Sequence, residues 1–164
     1  MKIESIDTNY AGYNFRSRLE ARWAVFFNAM NWDYLYEPQG YTLPNGTKYL
    51  PDFYLPKFQT FAEVKFDVLE VFDYKRARSL VESTRIPLLI LDSDPSYKFF
   101  TQITVNDDDE IELRKINLIE DKDSPGKLLI NRMFVSEEDY QEYGNVEPIA
   151  CIKEARKHRF GIFD

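Results

Sequence analysis

Cysteine and histidine are almost missing from this chain: Cys151 and His158 are the only ones among 164 residues. A lone cysteine excludes an internal disulfide and any cysteine-built metal cluster. Flanked by Ala150 and Ile152, it reads as a small packed hydrophobe. No run of eighteen apolar residues exists, which excludes a membrane-spanning helix. The opening MKIESIDTNYAGYNF lacks an apolar signal core, so the expected location is the cytoplasm. Asn45–Gly46–Thr47 then reads as a hairpin turn rather than a glycosylation acceptor. Internal repeats and low-complexity segments are absent too.

An excess of positive charge is also missing. Lys and Arg number 21 against 28 Asp and Glu, a net charge of −7, whereas a nucleic-acid partner is usually met by a basic surface. The deficit is uneven: residues 1–95 hold 11 basic against 13 acidic side chains, and residues 96–164 hold 10 against 15. Acids that share a bound divalent cation would count for less. Apolar content is ample. At 44% hydrophobic and 16% aromatic, the composition supports a packed core and argues against disorder.

Along the chain, Met1–Tyr13 reads as a polar loop ending in Ala11–Gly12, with Asn14 as the expected N-cap of a helix. Phe15, Leu19, Trp23, Phe26, Phe27 and Met30 recur at helical spacing and predict an amphipathic helix over Phe15–Met30. Strands are expected at Trp32–Glu37, at Tyr41–Leu43 and Thr47–Leu50 around Asn45–Gly46, and at Phe53–Leu55 and Thr60–Phe66. Val68–Thr84 reads as a second helix. The apolar run Ile86–Leu91 suits a buried strand lying parallel to a neighbour after a helical crossover. Phe99–Val105 and Ile111–Ile116 are expected to pair across the acidic turn Asn106–Asp109. Leu128–Val135 is expected as a strand and Glu147–Arg159 as a helix. The fold class is α/β: a central mixed β-sheet flanked by helices over residues 1–95, with a C-terminal α+β extension over 96–164.

The stretch YLPDFYLPKFQTFAEVKF, residues 49–66, carries the chemistry. Strand alternation points Glu63 and Lys65 the same way and Val64 the other. Asp52 lies among Leu50, Phe53, Tyr54 and Leu55, a poor place for an unpaired carboxylate. Charges set into such strands need either an ion pair or a metal. Pairing of adjacent antiparallel strands brings Asp52 towards Glu63, and the first helix carries Glu20 towards the same spot. Hard divalent cations take oxygen ligands, and Lys65 would supply positive charge beside a phosphate.

Pro51–Asp52 followed by Glu63–Val64–Lys65, with Glu20 on the helix upstream, resembles the PD-(D/E)XK nuclease superfamily. The run SRLEARWAVFFNAMNWDYLYEPQGY looks especially like phage and prophage nucleases. It is also similar to the nuclease subunit of certain bacterial transposition machineries and to phage junction resolvases. The likeness spans roughly residues 14–92, and nothing in 96–164 resembles anything known to us. It implies a restriction-endonuclease-like core and metal-dependent cutting of DNA, alone or within a larger nucleoprotein assembly, with no membrane partner. It implies Mg²⁺, replaceable by Mn²⁺, held by Asp52 and Glu63 with the Val64 carbonyl as a further ligand, and Glu20 completing the metal shell or orienting a bound water. Lys65 would position the attacking water.

Each of these residues also has a plainer reading. Asp52 would pair with Lys48 or Lys65, Glu20 would be a helix-surface acid near Arg16, and Glu37 an ordinary acid at a strand end. Arg16, Arg18, Lys75, Arg76 and Arg78 are the candidate phosphate contacts, against solvated helix faces. His158 sits in a basic helix end, where positive charge is favoured. Asn106–Glu110 lacks the glycine and distal glutamate of a calcium loop. Two rival functions stand beside a nuclease: a non-cutting DNA- or protein-binding module of the same fold, and an acidic inhibitor using Asp107–Glu142 to mimic DNA charge. Oligomeric state is left open, a homodimer included.

Overall fold

A computed structural model describes residues 5–65, 73–133, 136–143 and 148–161. It begins with a hairpin where a loop is expected: β1 (Thr8–Tyr10) pairs antiparallel with β2 (Tyr13–Phe15). Ala11 (φ 49°) and Gly12 (φ 83°) both take the left-handed backbone that a two-residue hairpin turn demands. Phe15 closes this hairpin and is fully buried, so it belongs to the core without belonging to the helix.

Helix α1 (Arg18–Ala29) starts three residues later than the apolar period predicts, and Ser17 rather than Asn14 caps it. Ser17 Oγ accepts from the Glu20 N–H at 3.1 Å, and Glu20 Oε2 reaches back to the Arg16 N–H at 3.1 Å, close to a capping box. Ser17→Ala should lower stability by about 1 kcal/mol, read as a lower denaturation midpoint at unchanged m-value, and Ser17→Asp should restore it. Leu19, Trp23, Phe26, Phe27 and Met30 are all buried.

The chain then forms β3 (Leu35–Tyr36), β4 (Tyr41–Thr42), β5 (Lys48–Tyr49), β6 (Phe53–Leu55), a 3₁₀ turn at Pro56–Phe58 and β7 (Thr60–Val64). After α2 (Tyr74–Thr84) come β8 (Leu88–Leu91), β9 (Phe100–Val105), β10 (Ile111–Glu120), β11 (Leu128–Ile130), α3 (Glu137–Tyr143) and α4 (Pro148–Lys157). The expected strand over Trp32–Glu37 shrinks to two residues, and Glu37 leaves it with φ 46°. The start of the second predicted helix, the end of the Thr60–Phe66 strand and the end of the Leu128–Val135 strand lie outside the described residues.

The fold is mixed α/β. Seven strands form one sheet in the order β11-β10-β9-β8-β7-β6-β3, while β4 and β5 make a separate two-stranded hairpin around Asn45–Gly46. β7 and β8 are parallel, the one parallel pair among the described strands of that sheet, and α2 lies between them in sequence. β9 and β10 pair across the acidic turn as expected, and continue the same sheet beyond β8. Two apolar cores flank the sheet. Phe53, Leu55, Ala62, Leu89 and Leu91 face α1, α3 and α4. Phe61, Leu88 and Ile103 face α2 and the β4–β5 hairpin. Among the described residues no helix is long and apolar enough to cross a membrane.

Candidate active site

The register of β6 on β7 pairs Phe53 with Ala62, so one step outward Asp52 lies across from Glu63. Alternation along β7 sets Ala62 into the α1-side core and Phe61 into the α2-side core, and Glu63 shares the face of Phe61. Asp52 occupies the bend before β6. Its Oδ2 accepts from the Val64 N–H at 2.8 Å, and its carbonyl accepts from the Glu37 N–H at 2.8 Å. The aspartate is thus held against the end of β7 by backbone bonds rather than by Lys48 or Lys65.

Lys65 follows directly after β7, and its N–H donates to the Leu91 carbonyl at 2.9 Å, prolonging the parallel ladder by one rung. Its Nζ lies 3.3 Å from Glu63 Oε1. The Glu63 side chain is only 12% exposed while that of Lys65 is 40% exposed, so a buried acid is joined to a reachable base. Among the described residues Glu63 Oε2 is buried and makes no well-formed hydrogen bond, although the Tyr49 hydroxyl and the Asp52 N–H both bear on this carboxylate.

These groups feel one another. Burial pushes the Asp52 carboxyl well above its usual range, with the Glu63 and then the Glu20 carboxylates adding to the rise, against the Val64 N–H and Lys65. Burial likewise raises Glu63, opposed chiefly by Lys65. Tyr49, buried on β5, has its phenol pushed up by burial and then by Glu63 and Asp52. It is a member of the site that its aromatic character hid, because a tyrosine at a core position announces its ring and not its hydroxyl.

Glu20 acts from the edge. It rides on α1, on the opposite face of the sheet, and its Oε2 is held at 2.6 Å by the Tyr36 hydroxyl as well as by Arg16 N–H. Burial and that hydrogen bond together raise the Tyr36 phenol. Among the described residues no three His, Cys, Asp or Glu side chains form a group that could hold a metal ion. What converges is a pair, Asp52 and Glu63, with the Val64 peptide contributing its N–H.

The candidate phosphate contacts are scattered. Arg16 Nε pairs with Glu37 Oε1 at 2.7 Å, which accounts for both residues. Arg78 pairs with Glu82 along α2 at 3.4 Å. Arg76, half-buried, donates to the Lys48 carbonyl and lies over the Tyr49 ring at 5.2 Å, bracing the wall beside Glu63. Lys75 is exposed on α2, and Arg18 lines a separate cleft with Arg22, His158, Arg159 and Phe160. Arg159 was not among the expected contacts, since only the fold brings α1 against the end of α4.

No protein-family model, curated protein or solved structure matches this chain.

Proposed function

We propose that this chain is a metal-dependent deoxyribonuclease with a restriction-endonuclease-like core, cutting phosphodiester bonds beside Asp52, Glu63 and Lys65. The observation that carries this reading is the poorly satisfied Glu63 Oε2: a buried carboxylate oxygen with no well-formed hydrogen bond among the described residues, beside a second carboxylate that repels it. A buried acceptor left unpaired costs about 1–3 kcal/mol, and more when charged. A cation between the two acids offsets both costs at once.

The donors fit a hard ion, since Mg²⁺ is commonly held by one or two carboxylates with water and substrate phosphate filling the rest. Held by Asp52 and Glu63, such an ion would supply an activated water and neutralise charge on the phosphate. Two protein carboxylates suffice, so Glu20 is freed for the work its contacts describe, fixing the start of α1 through Tyr36 and Arg16. The Val64 carbonyl is a further ligand only on the strength of the family resemblance. Lys65 keeps its ammonium next to Glu63, where it can orient the incoming water and offset charge on the attacked phosphate.

Incubation with supercoiled, linear and branched DNA, in Mg²⁺, in Mn²⁺ and in chelator, tests the reading. Cleavage is expected with either ion and none with chelator. Retention of DNA without cleavage would replace the enzyme by a binding module. Neither cleavage nor retention, with salt-sensitive capture of basic proteins instead, would favour the acidic inhibitor.

A further inference from the structure

Away from the carboxylate pair, a cleft of about 280 Å³ is lined by Arg18, Arg22, His158, Arg159 and Phe160. Three guanidinium groups and an imidazole crowd one concavity on a chain whose net charge is −7. Among the described residues two of its nitrogens are buried without a hydrogen-bond partner, Arg22 Nε and His158 Nε2. Asp94 offsets part of the charge, accepting from Arg22 Nη1 at 3.1 Å. The end of α4 does not attract an anion, because the carbonyl end of a helix is partly negative. Any affinity for an anion must therefore come from the side chains, and those present are the forked donors that match phosphate oxygens. The imidazole is fixed from behind by the Tyr10 and Phe160 rings, at 5.2 and 4.7 Å.

We infer that this cleft is a phosphate-binding site and that, resting on the nuclease reading, it receives a backbone phosphate of the strand being cut. The placement supports the second half. Lys65 N–H bonds the Leu91 carbonyl, the chain turns after β8, and Asp94 and the Ser93 carbonyl then meet Arg22 and the Trp23 indole. Three residues of extended chain span about 10 Å. The basic cleft and the acidic pair therefore lie towards the same end of the sheet, the cleft on the α1 side and Glu63 on the α2 side, so that a strand crossing that end would meet both.

His158 is the sole histidine, so its ring protons form an isolated nuclear magnetic resonance probe. In chelator at fixed pH, inorganic phosphate and a short duplex oligonucleotide are each titrated into the full chain. Both should move the His158 resonances. Arg18→Ala with Arg159→Ala should weaken each effect roughly tenfold with the circular dichroism unchanged, and should lower the salt slope of oligonucleotide binding by about 1. Phosphate that moves the resonances where the oligonucleotide does not leaves a site for free phosphate and overturns its role in strand binding. If neither probe moves them, or if the double variant binds both as the parent does, the site is wrong. None of these outcomes needs DNA cutting, so loss of the nuclease reading leaves the phosphate arm standing.

Discussion

Lys65→Ala is expected to remain folded and to keep Mn²⁺ binding, yet to cut DNA about a hundredfold or more slower than the parent. Removing one preorganised positive or donor group at a developing charge typically costs that much. The side chain is 40% exposed, so truncation leaves no cavity, and its backbone N–H still serves Leu91. The proposed ligands, Asp52 and Glu63, stay in place. Asp52→Ala should fail differently, losing Mn²⁺ binding and cleavage together, because it removes half of the donor pair. Lys65→Arg separates two roles for the lysine. If its ammonium only tempers the Glu63 charge, arginine restores cutting, whereas a role at the phosphate or water demands the smaller head group and is not rescued. Single-turnover cleavage rates and calorimetric Mn²⁺ titration read both quantities. Full-rate cutting by Lys65→Ala would refute the assignment.

How much of this could be read before folding depends on how local each signal is. The Phe15–Met30 period and the Ile86–Leu91 run are strong local patterns, and they became the shorter α1 (Arg18–Ala29) and β8 (Leu88–Leu91). Asn45–Gly46, whose turn chemistry is written in two residues, became the expected hairpin. The start of α1 was misplaced because Phe15 is apolar at the right spacing but sits on β2. The better cue was Ser17-Arg18-Leu19-Glu20, a capping-box string. Helix α3 went unforeseen: seven residues with three acids in the first turn leave too short a stretch for periodicity.

The candidate site divides along the same line. Glu63-Val64-Lys65 is legible because strand alternation is strict, and Asp52 follows once β6 and β7 are paired. The Tyr36 and Tyr49 hydroxyls are not legible, since what matters is which carboxylate each meets across the fold. Arg22 and His158 lie at opposite ends of the sequence, and only the packing of α4 on α1 joins them.

Asp52→Asn should make the metal-free protein more stable at neutral pH while abolishing its response to divalent ions. The Asp52 carboxyl is held well above its ordinary range by burial and by Glu63 and Glu20, so the folded chain keeps a proton that the unfolded chain gives up. With more protons bound in the folded state, stability falls as pH rises from about 4, the unfolded value, through the raised folded value, and levels off beyond it. Asparagine has no charge to bury. Its oxygen can still accept from the Val64 N–H, and its amide offers a donor to the neighbouring Glu63 carboxylate. Neutralising a strained functional site of this kind commonly adds roughly 1 kcal/mol or more, and each such unit raises the midpoint by about 2–4 °C in a chain of this size. Mn²⁺ at a hundred times its dissociation constant should stabilise the parent by about 2.7 kcal/mol and the variant by far less. Thermal melts between pH 4 and 8, with and without Mn²⁺, carry the test. A variant that melts lower than the parent at pH 7.5 without metal would mean that Asp52 is held by favourable contacts alone. The acidic pair would then be a structural feature of the sheet end and not a cation site.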